Sequence, residues 1–492
     1  MYEISLKDVS FKYNESEVFS LSHIDLNIKK GEVVVLCGES GCGKSTVIRL
    51  INGLIPFYYN GELKGEVTVQ DHNVKNGTIY DLGSRVSTVF QNPRSQFYCV
   101  EVKSELAFGA ENRNIPKEQI QNRMEEITGT LHLENLLNRT MFQLSGGEKQ
   151  KIACASVSVT DNQVIVLDEP SSNLDMYAIE ELKSMLMLWK EQGKTIVIAE
   201  HRLNYLEDLA ERYIFMEKGE IKGKFLKERF CKFSTKELND MGLRSVRYEE
   251  LQIQNQNLSK DSLNLSDFFF KYRRAKVPSL SIKELQIPKN AIIAVIGRNG
   301  AGKSTFIRNF CGLEKRGKGI LMDGDLKLKS KKRLNSSFLV MQDVNHQLFT
   351  ESVLEEIALS SNCSSEEEID QLLEAFDLVE LKDRHPMSLS GGQKQRVAVA
   401  SAIASDREFI AFDEPTSGLD YLHMKQVAKC MKKLQGLDKT IFIITHDLEL
   451  IYSCCNYVLH IEDGKVKEQY ELREENRTKI NEFYHVTGSS RK

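Results

Sequence analysis

One constraint dominates this sequence: the same ordered set of short motifs occurs twice. The first copy reads Gly38-Glu39-Ser40-Gly41-Cys42-Gly43-Lys44-Ser45, then Leu144-Ser145-Gly146-Gly147-Glu148, Asp168-Glu169-Pro170 and His201. The second reads Gly297-Arg298-Asn299-Gly300-Ala301-Gly302-Lys303-Ser304, then Leu389-Ser390-Gly391-Gly392-Gln393, Asp413-Glu414-Pro415 and His446. Leu389 follows Leu144, Asp413 follows Asp168 and His446 follows His201 by the same 245 residues. Solenoid repeats run about 20–50 residues, so a period this long means duplicated domains. The 492 residues are therefore expected to fold as two alike domains, residues 1–245 and 262–492, joined by a connector at 246–261.

Apolar residues make up 41% of the chain, enough for two ordinary cores. The longest apolar runs, such as Val33-Val34-Val35-Leu36-Cys37, are strand-sized and far short of the roughly 20 residues that span a bilayer. No charged-then-apolar signal segment opens the sequence. A cytosolic chain is expected, reaching a membrane only as a peripheral subunit on its cytoplasmic face. The net charge of −4 argues against a nucleic-acid partner. Lys327 to Arg333 (KLKSKKR) reads as a solvated loop after a strand. The ten cysteines form no CxxC pair and should stay reduced. Cys454-Cys455 reads as core filler, and Cys42 as a backbone contributor whose thiol is open to alkylation.

Each half begins with a strand-like stretch carrying aromatics, Phe11-Lys12-Tyr13 and Phe270-Lys271-Tyr272, followed by alternating apolar segments at 24–28 and 280–287. A buried-type strand then runs into the glycine-rich loop, and the loop into a helix at Lys44-Ser45-Thr46 and Lys303-Ser304-Thr305. The middle of each half is helical in character. Pure apolar strands (164–167 and 409–412; 195–199 and 440–444) end at the acidic pairs and at the histidines. Strands alternating with helices imply an α/β fold with a mostly parallel, doubly wound sheet. Hairpin-like turns, Glu217-Lys218-Gly219-Glu220 and Glu462-Asp463-Gly464-Lys465, close each half. The polar stretch from about Phe225 to Leu263 reads as the join, with weak helical character.

The chemistry follows from residue type and spacing. Glycines in a strand–loop–helix turn let successive N–H groups point at an anion with a helix N-terminus behind them. This makes Gly38, Glu39, Ser40, Gly41, Cys42 and Gly43, with Thr46, and likewise Gly297, Arg298, Asn299, Gly300, Ala301 and Gly302, with Thr305, candidates to hold ATP. Lys44 and Lys303 would reach the β- and γ-phosphates, and Ser45 and Ser304 would coordinate Mg²⁺. Asp168 and Asp413 end rigid strands and aim carboxylates at that metal. Glu169 and Glu414 are candidate general bases for the attacking water. His201 and His446, placed alike in both copies, read as γ-phosphate sensors, and Tyr13 and Tyr272 as faces for adenine. Ser145 and Ser390 should cap helices running from Glu148 and Gln393 onward.

Two phosphate loops, each tied to a Leu-Ser-Gly-Gly element, resemble the ATP-binding cassette (ABC) ATPases, as a dimer fused into one polypeptide. That resemblance implies two tandem P-loop NTPase domains, each with a mostly parallel sheet core, an antiparallel β subdomain and a helical signature subdomain. It further implies that Gln91 and Gln342 touch the metal site and link it to the helical subdomain. It also implies that the sites are crossed: Ser390 and Gly392 complete the Lys44 site, and Ser145 and Gly147 the Lys303 site. Phe90-Gln91-Asn92-Pro93-Arg94-Ser95-Gln96, then Glu105-Leu106-Ala107-Phe108-Gly109 and Glu111-Asn112, is similar to the ATPase subunits of energy-coupling factor (ECF) vitamin and metal importers. The second copy keeps Gln342 and Gln347 but has Met341, Asp343-Val344 and Leu359-Ser360 where the first has Phe, Asn-Pro and Phe-Gly. The partners implied are an integral membrane coupling subunit and a substrate-capture membrane protein. Fused ATPases of sugar importers and soluble tandem translation factors are the alternatives.

Overall fold

The computed structural model describes residues 2–14, 16–172, 174–254, 258–273, 275–361 and 365–484. Asn173 and Cys363 lie outside them, as do residues 255–257 of the expected connector. The chain forms two compact units, Met1–Arg247 and Tyr248–Lys492.

In the first unit the strands are β1 (Tyr2–Tyr13), β2 (Leu21–Lys29), β3 (Val33–Gly38), β4 (Gly61–Val69), β5 (His72–Asn73), β6 (Val86–Val89), β7 (Val164–Asp168), β8 (Thr195–Ala199), β9 (Arg212–Glu217) and β10 (Glu220–Leu226). They make a four-stranded sheet, β2-β1-β4-β5, and a six-stranded sheet, β10-β9-β3-β8-β7-β6. Strands β6, β7, β8, β3 and β9 run parallel, and β10 returns antiparallel. The division follows composition. The central strands β3 and β8 are buried at every position, as sheets covered on both faces require. The small sheet is antiparallel, and its β2 alternates buried with exposed residues.

The second unit repeats the plan with β11 (Ser262–Phe270), β12 (Leu280–Pro288), β13 (Ile292–Ile296), β14 (Lys318–Asp323), β15 (Leu326–Leu328), β16 (Ser337–Val340), β17 (Phe409–Asp413), β18 (Thr440–Ile444), β19 (Tyr457–Glu462) and β20 (Lys465–Glu471). Its sheets are ordered β12-β11-β14-β15 and β16-β17-β18-β13-β19-β20. The expected α/β architecture is thus present in both units.

In the first unit one apolar core joins the two sheets, with Ile4, Leu6, Val34, Leu36, Val166 and Val197 among its members. The helices Val102–Glu111, Lys117–Leu131 and Gly146–Thr160 enclose a separate core of Leu106, Ala110, Ile127, Ile152, Ala155 and Val159. This is the helical subdomain, with equivalents in the second unit at Val353–Ser360, Glu366–Ala375 and Gly391–Ala404.

Two sequence expectations need revision. The stretch after β10 is not a polar join. Its short helices, Lys227–Phe230 and Thr235–Asp240, fold onto the first unit and bury Phe230, Leu238, Leu243 and Val246. The Phe230 ring stacks on Tyr213 at 3.9 Å and 6°. Its anchors are too widely spaced to register as a periodic pattern. The KLKSKKR run is only partly solvated. It enters the helix Ser330–Ser336, and Arg333 is buried with its guanidinium 5.3 Å from the centre of the Phe268 ring. The aliphatic stem and a cation–π contact make that burial tolerable.

Because Phe230 fills the gap between β9 and the returning segment, Phe230→Ala should destabilise the first unit by about 3–5 kcal/mol. Denaturant unfolding of the full chain measures this, and a loss below about 1 kcal/mol would mean the segment packs too loosely to belong to the unit.

Candidate nucleotide site

The parallel register collects the candidate residues at one edge. Leu36 of β3 pairs with Ala199 of β8, and Ala199 pairs with Asp168 of β7. The phosphate loop, the acidic pair and His201 therefore all leave the carboxyl ends of adjacent strands, where open α/β sheets bind ligands. In the second unit Val295 and Asp413 both pair with Ile444, so the loop, the acidic pair and His446 converge in the same way.

Each loop wraps the start of a helix, Lys44–Ile51 or Lys303–Phe310. Gly38 and Gly43 have φ of 148° and 105°, and Gly297 and Gly302 have 149° and 102°. A Cβ at Gly38 would lie 2.2 Å from the Met216 carbonyl oxygen, and one at Gly297 would lie 2.1 Å from that of Ile461. Only glycine lets the loop press so closely against the neighbouring strand. The hairpin turn supports the loop from behind: Gly219 N–H donates to Cys42 O at 3.1 Å, and Gly464 N–H to Ala301 O at 2.8 Å. Sequence reading placed these turns only as hairpins, and their shared 245-residue register was the available signal.

The Lys44 ammonium is buried and donates to the carbonyl oxygens of Gly38 (3.0 Å) and Glu39 (2.8 Å). Lys303 does the same with Gly297 (2.7 Å) and Arg298 (3.0 Å), and also lies 3.3 Å from His446 Nε2. The charge is thus held within the loop on backbone oxygens. Ser45 Oγ donates to Asp168 Oδ1 at 2.9 Å, and Ser304 Oγ to Asp413 Oδ2 at 2.8 Å. Burial, then the neighbouring Glu169 charge, pushes the Asp168 carboxyl up to about 6. Burial likewise raises Asp413. A hydroxyl beside a carboxylate that favours a countercharge is an oxygen donor set suited to Mg²⁺.

Glu169 and Glu414 sit in left-handed backbone, with φ of 44° and 53°. Their N–H groups donate to Ala199 O (2.8 Å) and Ile444 O (2.9 Å). Such strain in a non-glycine residue costs on the order of 1–3 kcal/mol and clusters at functional positions. Each carboxylate approaches its histidine: Glu169 Oε1 is 3.4 Å from His201 Nε2, and Glu414 Oε1 is 3.5 Å from His446 Nε2. The units then diverge. Gln91 donates to Glu169 Oε2 at 2.7 Å, whereas Gln342 is exposed and makes no hydrogen bond among the described residues. The second glutamine of each loop closes the turn instead, with Gln96 accepting from Phe90 N–H and Gln347 from Met341 N–H.

Tyr13 and Tyr272 place their hydroxyls 3.3 Å and 3.4 Å from Thr46 and Thr305 Oγ1, beside the start of the loop helix. Tyr13 is also held by Arg49 (2.8 Å) and packs edge-on to Tyr59, while Tyr272 is 45% exposed. Cys42 contributes its backbone to the loop as expected, but its thiol is less open to alkylation than the sequence suggested, since it is buried and burial raises its pKa, which suppresses the nucleophilic thiolate.

The Leu-Ser-Gly-Gly helices begin at Gly146 and Gly391, two residues ahead of expectation, because Ser145 and Ser390 occupy the cap itself. In each, the Ser Oγ accepts from residue three, and that residue's side chain accepts from the Ser N–H, the reciprocal capping box. Among the described residues, Gly146, Gly147, Gly391 and Gly392 keep N–H groups that donate to no protein atom.

Sequence reasoning also missed Glu200. It is buried between β8 and His201, hydrogen-bonds Ser171, and is pushed up to about 8 by burial. The second unit has Thr445 there.

A family model described as ABC transporter matches residues 21–172 and 280–417. A putative ABC transporter ATP-binding protein of Treponema denticola is 44% identical over 473 residues, covering 95% of this chain and 96% of its own. One from Methanosarcina acetivorans is 31% identical over 523 residues, covering 94% of this chain and 85% of its own. The chain belongs to the ABC transporter family and is an ATP-binding ATPase carrying the cassette twice. Among solved structures, the archaeal ribosome recycling factor aABCE1, in complex with ribosomal stalk protein aP1, superposes with a TM-score of 0.65 at 21% identity. That match covers 96% of this chain and 92% of the other, and it shows the fold alone.

The Glu200 carboxyl fixes a pH dependence. Its pKa is raised in the folded state, so its contribution to stability is fully present below about 4.5 and is lost as pH rises toward about 8. Glu200→Gln removes this loss, so melting curves of variant and wild type should separate progressively from pH 5 to pH 8, the variant being the more stable. A constant separation would show that Glu200 ionises as an ordinary carboxylate.

Proposed function

We propose that the chain is the ATP-hydrolysing subunit of a membrane importer of the energy-coupling factor type, taking up a vitamin, a vitamin precursor or a transition-metal ion. Among the described residues no helix is long and apolar enough to cross a membrane, so the transport reading needs a separate integral membrane subunit. The observation that carries it is a set of exposed apolar side chains beside the glutamine loops. Tyr98 is 77% and Phe142 83% exposed in the first unit; Phe349 at 76% and Met387 at 50% hold the corresponding places in the second. Exposed apolar patches of this kind mark protein or membrane contacts.

The ECF-like motif maps onto this surface. Glu105 Oε2 accepts from the Tyr98 and Cys99 N–H groups at 3.0 and 2.7 Å, and Phe108 stacks on Tyr98 at 5.2 Å. Glu356 holds Phe349 and Thr350 likewise, at 2.8 and 3.0 Å. The two surfaces differ in residue type, which suits two different helices of one membrane subunit.

For the chemistry, Lys44 and Lys303 exchange their carbonyl partners for the β- and γ-phosphates of ATP. Tyr13 and Tyr272 present faces to adenine. Ser45 with Asp168, and Ser304 with Asp413, hold Mg²⁺, joined by Gln91 and Gln342. The ion neutralises phosphate charge when bound. Glu169 and Glu414 take the proton of the attacking water, and His201 and His446 hold the γ-phosphate and orient the glutamates. The open N–H groups behind Ser145 and Ser390 form helix N-termini suited to an anion. By the resemblance to ABC ATPases that anion would be a γ-phosphate, with Ser390 and Gly392 assigned to the Lys44 site and Ser145 and Gly147 to the Lys303 site. ATP then draws the units together and hydrolysis releases them, a two-state closure driven by contacts to one phosphate.

Glu169→Gln and Glu414→Gln should each lower turnover by about 10²-fold or more while ATP binding persists and the closed state accumulates. Unchanged turnover in both would remove the glutamates from the base role. Gentle solubilisation of the tagged chain from its native membranes should co-purify a multi-helix membrane protein with a small substrate-capture protein. Recovery of ribosomal proteins alone would overturn the transport reading and leave the ATPase standing.

A further inference from the structure

In each unit a buried hydroxyl sits two residues beyond the strained glutamate, Ser171 after Glu169 and Thr416 after Glu414. Each donates to a buried carboxyl beside the histidine, but from opposite sides of it. Ser171 Oγ donates to Glu200, the residue before His201. Thr416 Oγ1 donates to Asp447 Oδ2 at 2.8 Å, the residue after His446. The remaining two positions carry no carboxyl: the first unit has Arg202 where the second has Asp447, and the second has Thr445 where the first has Glu200.

The difference reshapes the chain nearby. Asp447 also accepts from Leu450 N–H at 3.2 Å and so caps the helix Leu448–Cys454. Arg202 cannot accept, and a three-residue 3₁₀ turn, Asn204–Leu206, stands in that place in the first unit. Arg202 donates instead to Leu174 O at 3.4 Å. The helix cap is thus present in one unit and missing from the other, whereas the hydroxyl–carboxyl contact is common to both.

That contact braces the glutamate. Left-handed backbone at a non-glycine residue persists only where its surroundings over-determine it. Glu169 N–H is fixed on Ala199 O at 2.8 Å, and Ser171 is fixed on Glu200, the very next residue. The turn is therefore held at both ends against the strand end that leads into His201. We propose that Glu200 is a positioning residue of the first nucleotide site, holding Glu169 against His201 through Ser171, as Asp447 does for Glu414 through Thr416. The inference rests on the base role proposed for Glu169. Burial pushes the Glu200 carboxyl up to about 8, so near neutral pH it is mainly an uncharged acceptor, which glutamine copies.

The test compares steady-state ATP hydrolysis with ATP affinity in the full chain, with a melting curve for every variant. Ser171→Ala and Glu200→Ala should each lower kcat roughly tenfold or more while the Kd for ATP stays within about twofold, because the contacts of Lys44, Ser45 and Asp168 are untouched. Glu200→Gln should keep kcat within about threefold of wild type, since its amide oxygen still accepts from Ser171. E200T/R202D, which installs the second unit's arrangement, should recover most of what Glu200→Thr alone loses. Glu169→Gln/Ser171→Ala should be no slower than Glu169→Gln, because the serine acts only through the glutamate. Ser171→Ala removes a single oxygen atom and decides the matter if Glu200→Ala fails to fold. Wild-type kcat in Ser171→Ala, additive losses in Glu169→Gln/Ser171→Ala, or no recovery in either rescue variant would overturn the positioning role while a slow Glu169→Gln keeps the base role standing. Wild-type turnover in Glu169→Gln would remove the base role, and the proposal with it.

Discussion

Everything at the candidate sites depends on the parallel pairing of three adjacent strands in each unit. A parallel sheet points all its carboxyl ends the same way, so whatever follows β3, β7 and β8 must emerge together. The backbone makes the link directly: Glu169 N–H reaches Ala199 O at 2.8 Å, and Glu200 N–H reaches Leu36 O at 3.1 Å. Residues more than 100 positions apart are thereby brought within hydrogen-bond range, as Ser45 and Asp168 show. The strands are able to do this because they are apolar on both faces and buried beneath helices. The functional edge and the core thus have one cause.

Around that edge, charge is managed before any ligand arrives. The lysines rest on loop carbonyl oxygens, and the aspartates are held by serine hydroxyls with their pKa values raised. Such a site is preorganised for an anion and a cation together and is unfavourable when it holds neither. The two units share this arrangement but not every detail. The first ties Gln91 to Glu169, holds Tyr13 beneath Arg49 and Tyr59, and buries Glu200. The second leaves Tyr272 open and brings His446 within 3.3 Å of Lys303. Two sites of one chemistry are therefore expected to differ in affinity and rate.

Much of this was legible in the sequence, and the exceptions are instructive. Strands such as Val164–Asp168 and Thr195–Ala199 announced themselves because fully buried strands are unbroken apolar runs. Duplication then turned single residues into pairs, which is why His201 and Ser145 could be singled out. The segment 227–247 was misread as a polar join because its few anchors, Phe230 and Leu238 among them, are scattered among charged residues. Arg333 was misread because a charge buried against an aromatic ring leaves no periodic trace. Glu200 was missed since nothing local distinguishes a buried carboxyl from a solvated one. Its absence from the second copy also removed the signal that revealed the others. The contact of Gln91 with Glu169, without a counterpart at Gln342, depends on loop geometry that spacing alone does not encode.

The proposed mechanism requires two nucleotide sites, one built around each phosphate-loop lysine. The most direct measurement is the number of ATP molecules bound per chain at saturation, by equilibrium dialysis, in wild type, Lys44→Ala, Lys303→Ala and the double variant. Two for wild type, one for each single variant and none for the double variant is the predicted result. One ATP per wild-type chain, or two in either single variant, would contradict it.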